Sequence, residues 1–107
     1  MVEANKALPA WNKALEQAFK AYVAKDSSPA MTGAIQVEIL FLMPRPKSVT
    51  RSMPTVKPDT DKLCRAVLDA AERSGIYFND SQVIDLYARK RYADTQPAGA
   101  IITLETL

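Results

Sequence analysis

KPDTDKLCRAVLDAAERSGIYFNDSQVID, residues 57–85, holds most of the side chains able to do chemistry, and its reading decides the fold. Pro58 followed by Asp59 and Thr60 is a helix-start signal. Leu63, Val67, Leu68 and Ala71 then recur at helical spacing, and Gly75 is the expected left-handed stop. On that helix Asp61, Arg65 and Asp69 fall four apart and share a face opposite the apolar one. Beyond Gly75 the spacing predicts a short strand over residues 76–78. Asn79-Asp80-Ser81 is a turn-forming triplet that would hold the Asp80 carboxylate near a strand end. Two carboxylates at a helix start and a third nineteen residues after Asp61 could converge on one divalent cation.

The rest of the sequence narrows that chemistry. There is no histidine, which removes imidazole bases, histidine zinc sites and triads that depend on histidine. An enzyme built from these residues is left with a metal held by oxygen ligands, a site that suits Mg²⁺, with Mn²⁺ as second choice. The single Cys64 lies on the apolar side of the helix and reads as a small buried hydrophobe in a reducing compartment. With 107 residues, 48% of them hydrophobic, the sequence suits one domain spanning residues 1–107. No apolar run reaches the roughly 20 residues needed to span a bilayer, and no signal-peptide core opens the sequence, so the expectation is a cytoplasmic, soluble protein.

Outward from the central stretch, residues 9–25 read as an amphipathic helix with Trp11, Leu15, Phe19, Tyr22 and Val23 on one stripe. Residues 34–43 are the clearest strand. Ile35, Val37, Ile39, Phe41 and Met43 share one face, and Leu40 and Leu42 make the far end apolar on both, which places it away from a sheet edge. Residues 83–92 read as a strand with Val83, Asp85, Tyr87, Arg89 and Arg91 on one face, and residues 100–107 as a last strand. The expected fold class is α+β, a small mixed sheet of about 3–4 strands packed against two helices.

Net charge is only +2, but its distribution is uneven. Between Glu38 and Asp59 there is no acidic residue, and Arg45, Lys47, Arg51 and Lys57 all lie there. Arg89-Lys90-Arg91 forms a second basic cluster. Basic groups on both sides of an acidic centre fit carboxylates that hold a cation while their surroundings hold phosphates. Residues 44–58, with four prolines, are expected to form a mobile, DNA-contacting arm. Other readings stay open at single positions: Asp59 as a helix cap, Asp69 as an ion-pair partner of Arg65 or Arg73, Asp85 as an ordinary strand residue, Gln82 as a structural hydrogen-bonder.

Lys57-Pro58-Asp59-Thr60-Asp61-Lys62-Leu63, then Arg65-Ala66-Val67-Leu68-Asp69-Ala70, then Gly75-Ile76 and Asn79-Asp80-Ser81-Gln82-Val83, resemble the signature of RusA-like Holliday junction resolvases. The resemblance runs from about Ile35 onward. It implies a homodimeric fold and a Mg²⁺-dependent endodeoxyribonuclease that hydrolyses phosphodiester bonds at four-way junctions during recombination and repair, in a bacterial or phage-infected cell. Asp59, Asp61 and Asp80 fall on the family's metal-binding aspartates, and Arg65 stands where the family has its catalytic lysine. An arginine there is larger, forked and never deprotonated, so an electrostatic role on the phosphate is what it can keep. Lys62 replaces the usual asparagine, and Asn79 replaces an acidic residue. Family chains usually open with a strand before the first helix, and here only about eight residues precede it, which fits either a shortened variant or a start internal to a longer chain. Arg45, Lys47, Arg51, Lys57 and Lys62 are the expected DNA contacts. Two rival readings remain, a catalytically impaired branched-DNA-binding protein on the same scaffold and a nuclease for flaps or other branched DNA.

Overall fold

The computed structural model describes residues 8–26 and 29–107. In chain order the elements are α1 (Leu8–Asp26), β1 (Ile35–Met43), α2 (Thr60–Arg73), a 3₁₀ turn (Asp80–Gln82), β2 (Val83–Tyr92) and β3 (Gly99–Thr106). The three strands form one mixed sheet in the order β2-β1-β3, with β1 parallel to β2 and antiparallel to β3. A parallel pair needs a crossover, and α2 with the loop before it supplies the chain length for one. The α+β class with two helices is as expected.

β1 is central because its sequence is apolar enough to be covered on both sides. Ile35, Val37, Ile39, Phe41 and Met43 are buried under the helices, and Leu42, on the other face, is buried too. Trp11, Leu15 and Phe19 from α1 and Leu63, Cys64, Val67, Ala70 and Ala71 from α2 close over that inner face. Trp11 meets Phe41 with ring centroids 6.2 Å apart, a tilted aromatic pair at the centre of the layer.

α2 ends as its sequence requires. Gly75 has φ of +82°, and the amides of Gly75 and Ile76 donate to the carbonyls of Glu72 and Ala71. These two bonds form a Schellman motif, and the accompanying apolar contact is available from Ile76 and Ala71, both buried.

Two expectations change. The strand at residues 76–78 is reduced to a single bridge between Met31 and Tyr77, because the chain enters the Asn79 turn before a ladder can extend. Val83 and Ile84 exchange faces. The register with β1 shifts between Ile35 and Gln36, so Val83 packs toward the core and Ile84 is 64% exposed. An extra residue in one strand reverses the side-chain alternation at that point. From Asp85 onward the alternation holds: Leu86, Ala88, Lys90 and Tyr92 share the inner face with Val37, Ile39, Phe41 and Met43, and Asp85, Tyr87, Arg89 and Arg91 lie on the other.

Candidate active site

Asp59 occupies the N-cap position of α2 with an extended backbone (φ −69°, ψ 146°), yet its side chain makes no capping hydrogen bond. Its carbonyl accepts the Leu63 amide, the normal first bond of a helix, while its carboxylate is exposed and has no hydrogen bond or ion pair among the described residues. Asp61 lies exposed in the first turn. Two carboxylates two residues apart at a helix N-terminus thus remain available to a cation, and capping does not account for Asp59.

Asp80 lies elsewhere. It opens the 3₁₀ turn before β2, and its amide donates to Glu72 Oε1 at 2.7 Å, one residue from the end of α2. Asp61 and Glu72 are eleven residues apart, about 16 Å along a helix axis. Among the described residues, no three Asp, Glu, Cys or His side chains come together as a metal-binding group. Within one chain the three aspartates of the motif therefore do not converge, contrary to the simplest expectation from sequence. Asp59 and Asp61 mark one end of α2 and Asp80 the other.

The turn that carries Asp80 is rigidly built. Asn79 Oδ1 accepts the Ser81 amide at 2.8 Å, and Gln82 Oε1 accepts the amides of Phe78 and Asn79. The Gln82 amide nitrogen donates to the carbonyls of Met31 and Gly33, which locks the turn to the segment before β1. Asn79 is thus a cap rather than a ligand, and Gln82 is the structural hydrogen-bonder expected of it.

Residues 44–58 do not form a free arm. Arg45 donates to the carbonyls of Val49 and Arg51, pairs with Asp94 at 2.7 Å, and lies 4.1 Å over the Tyr92 ring. The Asp94 carboxyl is held below its usual range by that guanidinium, first through their hydrogen bond. Arg51 donates to the Tyr92 hydroxyl at 3.1 Å, Val49 packs on the core, and Pro54 is buried. Lys90 Nζ donates to the carbonyls of Val56 and Pro58, at 2.6 and 3.0 Å. The loop is stitched down at both ends, by its own Arg45 on the Val49 and Arg51 carbonyls and by Lys90 of β2 on those of Val56 and Pro58. Lys47 and Lys57 remain exposed, with no hydrogen bond or ion pair among the described residues.

Lys62 and Arg65 project into a groove of about 230 Å³ between the helices, beside Asn12, Asp69 and Arg73. Arg73 takes its ion pair from Glu16 of α1, not from Asp69. A second open cleft, about 600 Å³, runs between Met53, Pro54, Thr55 and Thr60 on one side and Ala88, Arg89, Lys90 and Arg91 on the other. It joins the start of α2 to the second basic cluster. The apolar hollow of about 540 Å³ between α1 and β3 is lined by none of these carboxylates. Cys64 is buried, and burial together with the nearby Asp61 charge pushes its thiol up, away from the reactive thiolate. Asp85 sits half-buried on the helix-free face of the sheet.

An α+β domain that presents a paired-aspartate helix start beside basic clefts has the features of a nuclease. Residues 2–105 match the family profile described as Endodeoxyribonuclease RusA. The chain belongs to that family, whose members act on branched DNA junctions. It is also similar to the Uncharacterized protein YqaN of Bacillus subtilis (strain 168), at 35% identity over 100 residues, covering 80% of this chain and 69% of that protein. No helix among the described residues is long and apolar enough to cross a membrane.

The sequence reading missed the Lys90 bridge, the staple made by Arg45 and the grip of Gln82 on the β1 lead-in. Each joins residues more than thirty positions apart, or turns a presumed phosphate contact inward, and local patterns carry no such information.

Proposed function

We propose that the chain is a Mg²⁺-dependent, structure-selective endodeoxyribonuclease that resolves four-way DNA junctions as a homodimer, with Mn²⁺ able to substitute. The observation that supports this most is the uncommitted pair Asp59 and Asp61 at the start of α2, in a chain of the RusA family. The donors are all carboxylate oxygens, a set suited to a hard cation. A bound Mg²⁺ would supply an activated water and offset charge on the phosphate being cleaved.

In this reading Asp59 and Asp61 are the ligands from one chain, and Asp80 reaches the same ion from a second copy. The outer edge of β2 is the surface suited to that copy. It is an edge strand that leaves Ile84, Leu86 and Tyr87 exposed, with Asp85 near its start and Arg89 and Arg91 near its end. An antiparallel pairing across it would put the start of one β2, with Asp80, beside the end of the other, where Lys90 meets the lead-in to α2. Opposite charges would face each other along the seam. Two sites related by a two-fold axis would suit the near-symmetric arms of a junction. Arg65 would pair with the non-bridging phosphate oxygens, and Lys47, Lys57 and Lys62, with what Arg45 and Arg51 leave free, would contact the backbone.

Mixing two inactive variants tests the reading. Asp61→Asn and Asp80→Asn should each lower junction cleavage by on the order of 10³-fold in Mg²⁺. After denaturation and refolding together, heterodimers contain one site with all three aspartates native, and nicking should return. Continued inactivity of the mixture would place all three ligands in one chain. Faster cutting of a flap than of a four-way junction by the native protein would reassign the substrate, and tight junction binding without cutting in either metal would favour the binding-protein reading.

A further inference from the structure

Arg89, Lys90 and Arg91 form a run of three cations that reads as a phosphate patch, but the strand divides them. Arg89 and Arg91 point to the helix-free face and are exposed. Lys90 points inward, in register with Phe41, and is half-buried. Its ammonium donates to Val56 O at 2.6 Å and to Pro58 O at 3.0 Å, carbonyls three residues and one residue before Asp59.

Among the described residues, the segment that receives these bonds has little else to hold it. Around it, the backbone bonds outside helices and strands run from Thr55 to Met53 and from Leu63 to Asp59, and neither ties Val56, Lys57 or Pro58 to the sheet. Pro58 has no amide to donate, so its carbonyl is its sole backbone handle. The Lys90 ammonium is accordingly the tie that sets where the chain enters α2 relative to β2. It thereby sets where the Asp59 and Asp61 carboxylates stand.

We propose that Lys90 is a positioning residue for the paired carboxylates, acting on the backbone ahead of Asp59 instead of on DNA phosphate. This rests on the nuclease reading above for its catalytic consequence, though the tie itself is independent of it. A compact ammonium with three donors suits two carbonyls that diverge along a turn. Groups that support metal ligands commonly change metal affinity or activity by about 10–100-fold when removed.

The test compares native protein with Lys90→Met, which keeps the apolar stem, and Lys90→Gln, which keeps a neutral donor and guards against a folding failure of the first. Three readouts are taken: amide exchange over residues 55–61, junction affinity in Ca²⁺ across a salt series, and single-turnover cleavage against Mg²⁺ concentration. Lys90→Met should speed exchange in that segment and raise the Mg²⁺ needed for half-maximal cleavage by about tenfold or more. Junction affinity should stay within about twofold, with an unchanged salt slope. Lys90→Gln should fall between the two. A loss of affinity with the slope reduced by about one, and exchange unaltered, would make Lys90 a phosphate contact and overturn the proposal. If the native protein cuts no DNA, the nuclease reading fails while the exchange comparison still decides the tie.

Discussion

The two ends of α2 are built by different means. At the C-terminal end the capping is local: Gly75 closes the helix through a Schellman motif, Asn79 and Gln82 then cap the 3₁₀ turn that carries Asp80, and the Gln82 amide adds a long-range tie to Met31 and Gly33. At the N-terminal end the helix opens without a side-chain cap, and its lead-in is held by Lys90 from a strand more than thirty residues on. The difference separates stability from chemistry. A carboxylate that caps a helix is spent on its own amides, whereas Asp59 sits in the capping position and leaves its oxygens available. One end is a structural lock, and the other gives up that economy to keep two carboxylates exposed.

The sharpest way to break this contrast is Asp59→Ala. For a true cap the substitution typically costs about 1 kcal/mol. Here stability in a denaturant melt should change by less than about 0.5 kcal/mol, the usual range for an exposed position. Junction cleavage in Mg²⁺ should nonetheless fall by on the order of 10²–10³-fold. A loss of stability comparable to that of capping mutants, with cleavage retained, would return Asp59 to an ordinary helix-start role.

Gly75→Ala probes the opposite end. No heavy atom lies within 4 Å of where the new Cβ would stand, so the cost comes from the backbone alone, at φ of +82°. A left-handed conformation costs a non-glycine residue roughly 1–2 kcal/mol, which should lower the melting temperature by about 4–8 °C or somewhat more in a domain of this size. Cleavage measured well below the melt should be little altered, because the carboxylates at the other end are not held by Gly75. An equal loss of cleavage would show that the two ends are coupled through the helix.

Much of this was readable in the residues. β1 and β2 fall where their periodicity places them, and α2 starts at Thr60 and stops before Gly75, because apolar spacing and left-handed glycine are local signals. Asp59 and Asp61 could be picked out for the same reason. The bulge at the start of β2 was not readable, since a one-residue register shift leaves the composition unchanged and swaps Val83 for Ile84. Nor was the separation of Asp80 from the pair. Motif spacing along the chain is compatible with one cluster or with two ends of a helix, and only the Glu72 contact decides between them. The basic residues misled in one direction: Arg45 and Lys90 satisfy carbonyls of residues 44–58, where the charge pattern pointed to phosphate.

The smallest expected effect concerns the lock beside Asp80. Tyr77 is 1% exposed, and its hydroxyl donates to the Leu68 carbonyl at 2.7 Å. Burial raises the phenol well above its ordinary 10.0, and the carboxylates of Asp80, Glu72 and Asp69 push it the same way. In the unfolded chain the phenol loses its proton near pH 10, while in the folded chain it stays neutral. Above pH 10 the folded state therefore binds more protons than the unfolded one, so stability falls as pH rises past 10, and the contribution is fully present below it. Tyr77→Phe removes both the hydrogen bond and the titration. At pH 7 it should be less stable than the native chain by about 1 kcal/mol. Above pH 10 the gap should narrow, because the native chain alone then carries the cost of keeping that phenol protonated. Denaturant melts at pH 7, 9 and 10.5 measure the gap directly. Parallel curves over that range would mean that the phenol titrates alike in both states, and that the C-terminal lock is not sealed from water as the Tyr77 contact requires.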